Sequence, residues 1–286
     1  MRFKNITSIK EIVDDYDTFL IDQWGVMHDG TVGYIKAKKC IEYLYNKNKN
    51  LIIISNSSKR KKSSSDRLPK IGFEPNFFKE IMTSGEMVWN EINKSNINNK
   101  KEKKCFHIYD ATKEDGLTFR KGLKNIIYTD NISDADFILA CTPYAKSKPI
   151  DYIPLLKSAL EKKLIMYCAN PDFETVENSK NEKIFCMGMV SSLYEQIGGE
   201  TVILGKPEID IYIESTKCIK LNKSRTIAIG DSIFHDIKGA NNFNIDSILI
   251  KSGIHRELFN VNNLSFEKLI QNHQIFPNYL MNELSI

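Results

Sequence analysis

Phe19-Leu20-Ile21-Asp22-Gln23-Trp24-Gly25-Val26 is the stretch that decides the fold. Three apolar residues stop at an acid, and a glycine follows three positions later. A short continuous apolar run closed by turn residues is the pattern of a strand buried on both faces of a parallel sheet. In open parallel sheets, ligands sit just beyond the carboxyl ends of the strands, so Asp22 falls where chemistry is done.

The same pattern recurs along the chain. Leu51–Ile54 is followed by Ser55 and Asn56, and Thr226–Ile229 by Gly230 and Asp231, with Asp236 five residues further on. The run Thr201–Leu204 leads into Gly205-Lys206-Pro207. Further runs at Phe137–Cys141, Leu164–Cys168 and Ser247–Ile250 alternate with helical patterns at Ala37–Asn46, Ile153–Lys162 and Ile209–Leu221. That alternation predicts an α/β fold, a Rossmann-like doubly wound parallel sheet with right-handed crossovers.

A chain of 286 residues is comfortable as two domains. Linkers are expected near Met82–Gly85 and Phe185–Gly188. Residues 83–185 then form an inserted α/β cap domain, and 1–82 with 186–286 form one discontinuous core domain. Hydrophobic residues make up 42%, enough for a packed interior. The net charge of +4 is a small difference between 40 basic and 36 acidic residues, so no nucleic-acid partner is expected. The basic clusters Lys59–Lys62 and Lys100–Lys104 read as a solvated helix start and a loop. None of the six cysteines forms a CxxC pair, so no zinc or redox motif is visible, and most read as buried thiols. The start, MRFKNITSIKEIV, is polar, and no apolar run is long enough for a membrane span. The expectation is a soluble cytoplasmic protein without a membrane partner. Exposed cap surface is compatible with a homodimer.

Two acids, a hydroxyl, a lysine and a further acid converge on one sheet edge, and this set suits phosphoryl transfer. A carboxylate attacks phosphorus, Mg²⁺ is held by carboxylates and carbonyls, and a lysine offsets charge in the transition state. Alone, each acid after a strand is most simply a helix cap or turn residue; four strand ends in this order outweigh that reading. Asp15-Tyr16-Asp17 and Asp134-Ala135-Asp136 precede their apolar runs, so they belong at the opposite edge with turn roles. The histidines show no ligand spacing, and no dinucleotide or Walker A sequence is present.

The ordered set Asp22-x-x-Gly25-Val26, Ser55-Asn56, Gly205-Lys206-Pro207 and Gly230-Asp231-(x)4-Asp236 resembles the haloacid dehalogenase superfamily, more closely its class IIA branch of phosphatases. The resemblance implies a Mg²⁺-dependent phosphatase or phosphotransferase acting on a small phosphorylated metabolite through an aspartyl-phosphate. Asp22 would be the nucleophile and a metal ligand, with the backbone carbonyl of Trp24, Asp231 and Asp236 completing the metal set. Ser55 and Lys206 would hold the phosphoryl group. Asn56, Asn170 and Asp172 would lie against the substrate; the Trp24 ring either stacks on a planar substrate ring or packs against the sheet or cap.

The sequence departs from that family at Trp24, where its phosphatases carry a second acid that protonates the leaving oxygen. An indole exchanges no proton near neutral pH. General acid–base catalysis is worth roughly 10²–10⁴-fold, so a slow enzyme is expected. The alternative is a non-hydrolytic phosphometabolite-binding or regulatory protein on the same fold. His235 is a second departure and reads most simply as a helix-start residue.

Overall fold

A computed structural model describes residues 3–99, 101–113, 115–177, 182–261 and 263–286; Lys100, which opens the second basic cluster, lies outside them. Seven parallel strands form the larger sheet. Their order is Lys4–Asn5, Tyr279–Met281, Asp246–Ile250, Thr226–Gly230, Thr18–Ile21, Asn50–Ser55 and Glu80–Thr83. The strand that ends at Asp22 is interior, with Ile21 in register with Ile229 on one side and Ile53 on the other.

The continuous apolar runs are explained by burial on two faces. Phe19, Ile21, Leu51, Ile53, Ile227 and Ile229 enter one core cluster, whereas Leu20, Ile52, Ile54 and Ala228 enter another. Successive side chains on a strand point to opposite faces, so both parities must be apolar. The helix Ile35–Asn46 covers the first face with Ala37, Cys40, Ile41 and Leu44, spaced as one helical stripe. The helix Ile209–Thr216 covers the second with Ile211 and Tyr212. It ends before the expected Leu221. Near its end the hydroxyls of Ser215 and Thr216 both donate to the Tyr212 carbonyl, at 3.1 and 2.8 Å, and compete for that acceptor.

The second sheet has five parallel strands in the order Glu200–Ile203, Ile165–Cys168, Phe137–Ala140, Lys103–Ile108 and Ile126–Thr129. A separate antiparallel hairpin joins Glu174–Glu177 to Glu182–Phe185. This arrangement corrects the expected end of the insertion at 185. Glu200–Ile203 pairs with Ile165–Cys168, and the helix Met187–Gln196 gives Met187, Val190 and Tyr194 to the cap core. The stretch Phe185–Gly188, expected as a linker, is a hairpin end followed by a helix start. The inserted unit thus runs from the strand-to-helix step at Thr83–Ser84 to residue 203, because its fifth strand comes after that helix.

The two paired-acid decoys lie away from the carboxyl edge. Asp17 pairs with Arg225 at 2.6 Å at the amino end of its strand, and the Asp136 carboxylate accepts the Lys104 amide. Of the first basic cluster, Lys59 pairs with Asp115, Arg60 with Glu86, Lys61 with Glu80 and Lys62 with Asp66. Among the described residues, no helix is long and apolar enough to cross a membrane.

Candidate active site

Neighbouring strands deliver Asp22 and Asp231 to one edge of the larger sheet, and the Asp22 amide continues the ladder by donating to the Ile229 carbonyl at 2.9 Å. The loop after Asp22 turns at once, with the amides of Met27 and His28 both donating to the Gln23 carbonyl. Gly25 makes this possible. Its φ is +73°, and a Cβ there would lie 2.0 Å from the Asp231 carboxylate. At Gly30, φ is +94° and a Cβ would lie 2.2 Å from the Trp24 ring. The first motif therefore packs directly on the last.

Asp22, Asp231 and Asp236 are all buried, and each offers an oxygen within 4.8 Å of the others. Asp231 is anchored by the Ile254 amide at 2.9 Å. Asp236 sits in a wide helical turn, Ile233–Ile237, and accepts the Ser232 amide at 3.0 Å. Lys206, 2% exposed, places Nζ 2.6 Å from Asp22 Oδ1 and 2.6 Å from Asp236 Oδ1. A charge this deep is tolerated only when paired.

One ammonium does not balance three carboxylates. Burial pushes the Asp22 carboxyl up to about 7; Lys206 opposes that rise and Asp236 adds to it. Asp231 is held well above the usual carboxylate range by burial, then by Asp22 and Asp236. Burial alone would lower the Lys206 ammonium, but Asp22 and Asp236 outweigh it and hold the group well above its ordinary value. Clustered carboxylate oxygens with an excess of negative charge are the donor set that fits a hard divalent cation.

The structure brings Asp22, Trp24, Asp172, Lys206, Asp231 and Asp236 around one small pocket of about 30 Å³. Trp24, Asp172 and Thr175 are shared with a larger cleft of about 740 Å³ between the two sheets, and Asn170 lines that cleft. Two of the expected residues also have structural partners. Asn56, expected against substrate, is 2% exposed and ties the halves together. Its Nδ2 donates to Asp172 at 2.8 Å and to the Lys206 carbonyl at 3.0 Å, while its Oδ1 accepts the Lys206 amide at 2.7 Å. Ser55 is buried with its hydroxyl accepting the Ser57 amide at 3.3 Å, and it lines neither cavity.

Trp24 lines both pocket and cleft, and its ring has Gly30 against it, the His28 ring edge-on at 5.1 Å and the Arg67 guanidinium 5.3 Å away. His28 is fully buried and its Nδ1 accepts the Gly30 amide at 3.0 Å, so burial holds the imidazole neutral, down to about 3. His235 is more than a helix-start residue. Its Nδ1 lies 3.3 Å from Asp172 of the cap and 3.0 Å from the Ser232 hydroxyl, and the residue lines the Asp22 pocket. The sequence signals for this were its position one before Asp236 and its departure from the family's pattern. Ile254 and Thr175, also in the wall, carry none.

The comparisons agree with this geometry. A family described as haloacid dehalogenase-like hydrolase matches residues 19–118, and one described as HAD-hydrolase-like matches 203–276. A comparison with curated protein sequences finds no match. Among solved structures, a haloacid dehalogenase-like hydrolase from Brucella suis is 25% identical, with 98% of this chain and 99% of that one covered and a TM-score of 0.81. A possible sugar phosphatase from Cytophaga hutchinsonii is 18% identical, with 99% of each chain covered and a TM-score of 0.78. The p-nitrophenyl phosphatase of Archaeoglobus fulgidus is 20% identical, with 94% and 97% covered and a TM-score of 0.68. The last two speak for the fold. The second sheet is inserted between Asn56 and Lys206, a placement consistent with the class IIA branch. With both flanking segments matched and the ordered motifs gathered at one edge, the chain belongs to the haloacid dehalogenase superfamily.

Proposed function

We propose that this protein is a Mg²⁺-dependent phosphatase or phosphotransferase that acts on a small phosphorylated metabolite through an aspartyl-phosphate at Asp22. The observation that carries the reading is the buried Lys206 ammonium, 2.6 Å from Asp22 and 2.6 Å from Asp236 inside a cluster of three carboxylates. The names of the related proteins, a possible sugar phosphatase and a p-nitrophenyl phosphatase, support the same reaction class.

Asp22 ends an interior strand and faces the small pocket, so its oxygen attacks phosphorus there while the leaving oxygen departs toward the cleft. Lys206 steadies the phosphoryl oxygens as their charge spreads. Asp22, Asp231, Asp236 and the Trp24 carbonyl would hold Mg²⁺, which supplies charge neutralisation between nucleophile and phosphoryl oxygens. Asn56 keeps the Lys206 backbone fixed, and Ser55 shapes the turn beside it. Water then attacks the aspartyl-phosphate and the electron pair returns to Asp22. The leaving oxygen takes up a proton and the attacking water gives one up; Trp24 can serve neither transfer, and the ionisable side chains in the pocket wall include His235, Asp172 and Glu174. That departure favours a second reading, binding of a phosphorylated metabolite without turnover.

The test is phosphate release from p-nitrophenyl phosphate with Mg²⁺ or with EDTA, for wild type and Asp22→Asn. We expect metal-dependent release that Asp22→Asn lowers by more than about 10³-fold, as when a nucleophile is removed. Equal rates for the two proteins would sink the nucleophile assignment. Tight phosphate binding by calorimetry without release would leave the second reading standing.

A further inference from the structure

The cleft is far larger than a phosphoryl group requires. Its volume of about 740 Å³ falls within the range of whole-ligand sites, roughly 300–1,000 Å³, so it holds the alcohol portion of the substrate. Four cations line it: Lys59, Arg67, Lys113 and Lys146. Lys59 pairs with Asp115 across the cleft, Lys113 lies 3.9 Å from Asp110, and Lys146 is exposed on a loop.

Arg67 differs from all three. It is half-buried, and among the described residues no carboxylate lies within ion-pair distance of it. Its partners are neutral: one guanidinium nitrogen donates to the Gly30 carbonyl, and the group sits 5.3 Å from the centre of the Trp24 ring. A guanidinium has five N–H donors, so most of its fork remains for another acceptor. Asp29 also lines the cleft, but its Oδ1 already accepts from Thr31 and Val32 in its own loop. The two neutral contacts fix the direction of Arg67 without cancelling its charge. Trp24 also lines the Asp22 pocket, so the cation stands beside a residue of that pocket's wall.

We propose that Arg67 determines specificity by binding a second anionic group, a carboxylate or a phosphate, on the alcohol portion of the substrate. The preferred substrates are therefore phosphate monoesters that carry a further negative charge close to the ester. This rests on the phosphatase reading above. The bland role for Arg67, a brace between Gly30 and Trp24, predicts equal harm to all substrates when it is changed. The specificity role predicts selective harm.

The experiment compares kcat/KM for glycerol 3-phosphate with 3-phosphoglycerate, and for fructose 6-phosphate with fructose 1,6-bisphosphate. Wild type, Arg67→Gln, Arg67→Lys and Asp22→Asn are each measured. We expect wild type to favour the doubly anionic member of at least one pair by about 10-fold or more, the scale of a charged hydrogen bond. Arg67→Gln should bring that ratio close to one, and Arg67→Lys should keep part of it. Preference in the first pair alone identifies a carboxylate, and in the second alone a phosphate. Asp22-dependent hydrolysis with no preference in either pair, or a preference that survives Arg67→Gln, overturns the inference and leaves the phosphatase reading intact. No Asp22-dependent release from any of the four removes both.

Discussion

The two sheets are built alike and used differently. Both are parallel and apolar on both faces, and both turn carboxyl ends of strands toward the same cleft. The cap strands run in the order 2-1-3-4-5 when counted within the cap, an arrangement whose ligand crevice lies between its first and third strands. There the cap presents Asp110, Thr142 and Tyr144. The core presents three clustered carboxylates, two of them in direct contact with a lysine. One edge concentrates charge for chemistry, and the other offers dispersed polar and aromatic groups for recognition. Catalytic roles should therefore map to the core and substrate choice to the cleft between the two.

The largest effect that sharpens this division is at Trp24, a core residue at the boundary. Trp24→Asp restores an exchangeable proton beside the leaving oxygen. Turnover of alkyl phosphates should rise by about 10²-fold, the lower end of general acid–base catalysis, and that of p-nitrophenyl phosphate much less. Steady-state rates on both, with circular dichroism to confirm folding, make the check. No gain on either leaving group would mean that another residue already supplies the proton or that chemistry is not limiting.

The core edge carries a cost that the cap edge does not. Asp22 is pushed up to about 7, so the folded state keeps a proton that the unfolded chain gives up between about pH 4 and 7. This carboxyl destabilises the metal-free protein at neutral pH, and acidification through that window relieves it. Asp231, shifted the same way, adds to the effect. A divalent cation should relieve it as well, raising stability by about 2.7 kcal/mol at 100 times its Kd. Asp231→Asn removes one buried charge and one ligand together, so it should raise the Tm of the EDTA-treated protein and abolish the Mg²⁺-induced rise. A variant that melts lower in EDTA and still responds to Mg²⁺ would mean that Asp231 is structural.

The same contrast explains what was legible in the sequence. Asp22, Asp231 and Lys206 stand out because each follows an apolar run directly or after one glycine, and a parallel sheet places such residues together. The cap was legible as an α/β insertion but not in its extent. Glu200–Ile203 begins with Glu and Thr, and sequence carries no sign of which sheet such a strand joins. Asn56 was legible as an edge residue, but its partners, Lys206 and Asp172, are more than a hundred residues away, and sequence gives no sign of them. Arg67 showed no motif at all. Its significance comes from having no carboxylate within ion-pair distance among the described residues, which only three dimensions reveal.

The smallest effect compares one buried histidine from each sheet. His28 in the core and His107 in the cap are both held neutral by burial, down to about 3. His107 accepts from Arg120 at 3.1 Å on Nδ1, as His28 accepts from the Gly30 amide. In each case the unfolded chain binds a proton near pH 6.5 that the folded state refuses until about 3. Stability from this source is intact above pH 6.5 and is lost as pH falls toward 3, by about 2 kcal/mol for each histidine at pH 5. Asp22 and Asp231 change in the opposite direction over the same range, so the wild-type profile alone mixes the two. The informative quantity is the difference between variant and wild type in urea unfolding at pH 7 and pH 5. His28→Gln and His107→Gln should each lose stability at pH 7 and regain about 2 kcal/mol relative to wild type at pH 5. If only His107→Gln does so, His28 is protonated in the folded state, and the neutral imidazole beside Trp24 is ruled out.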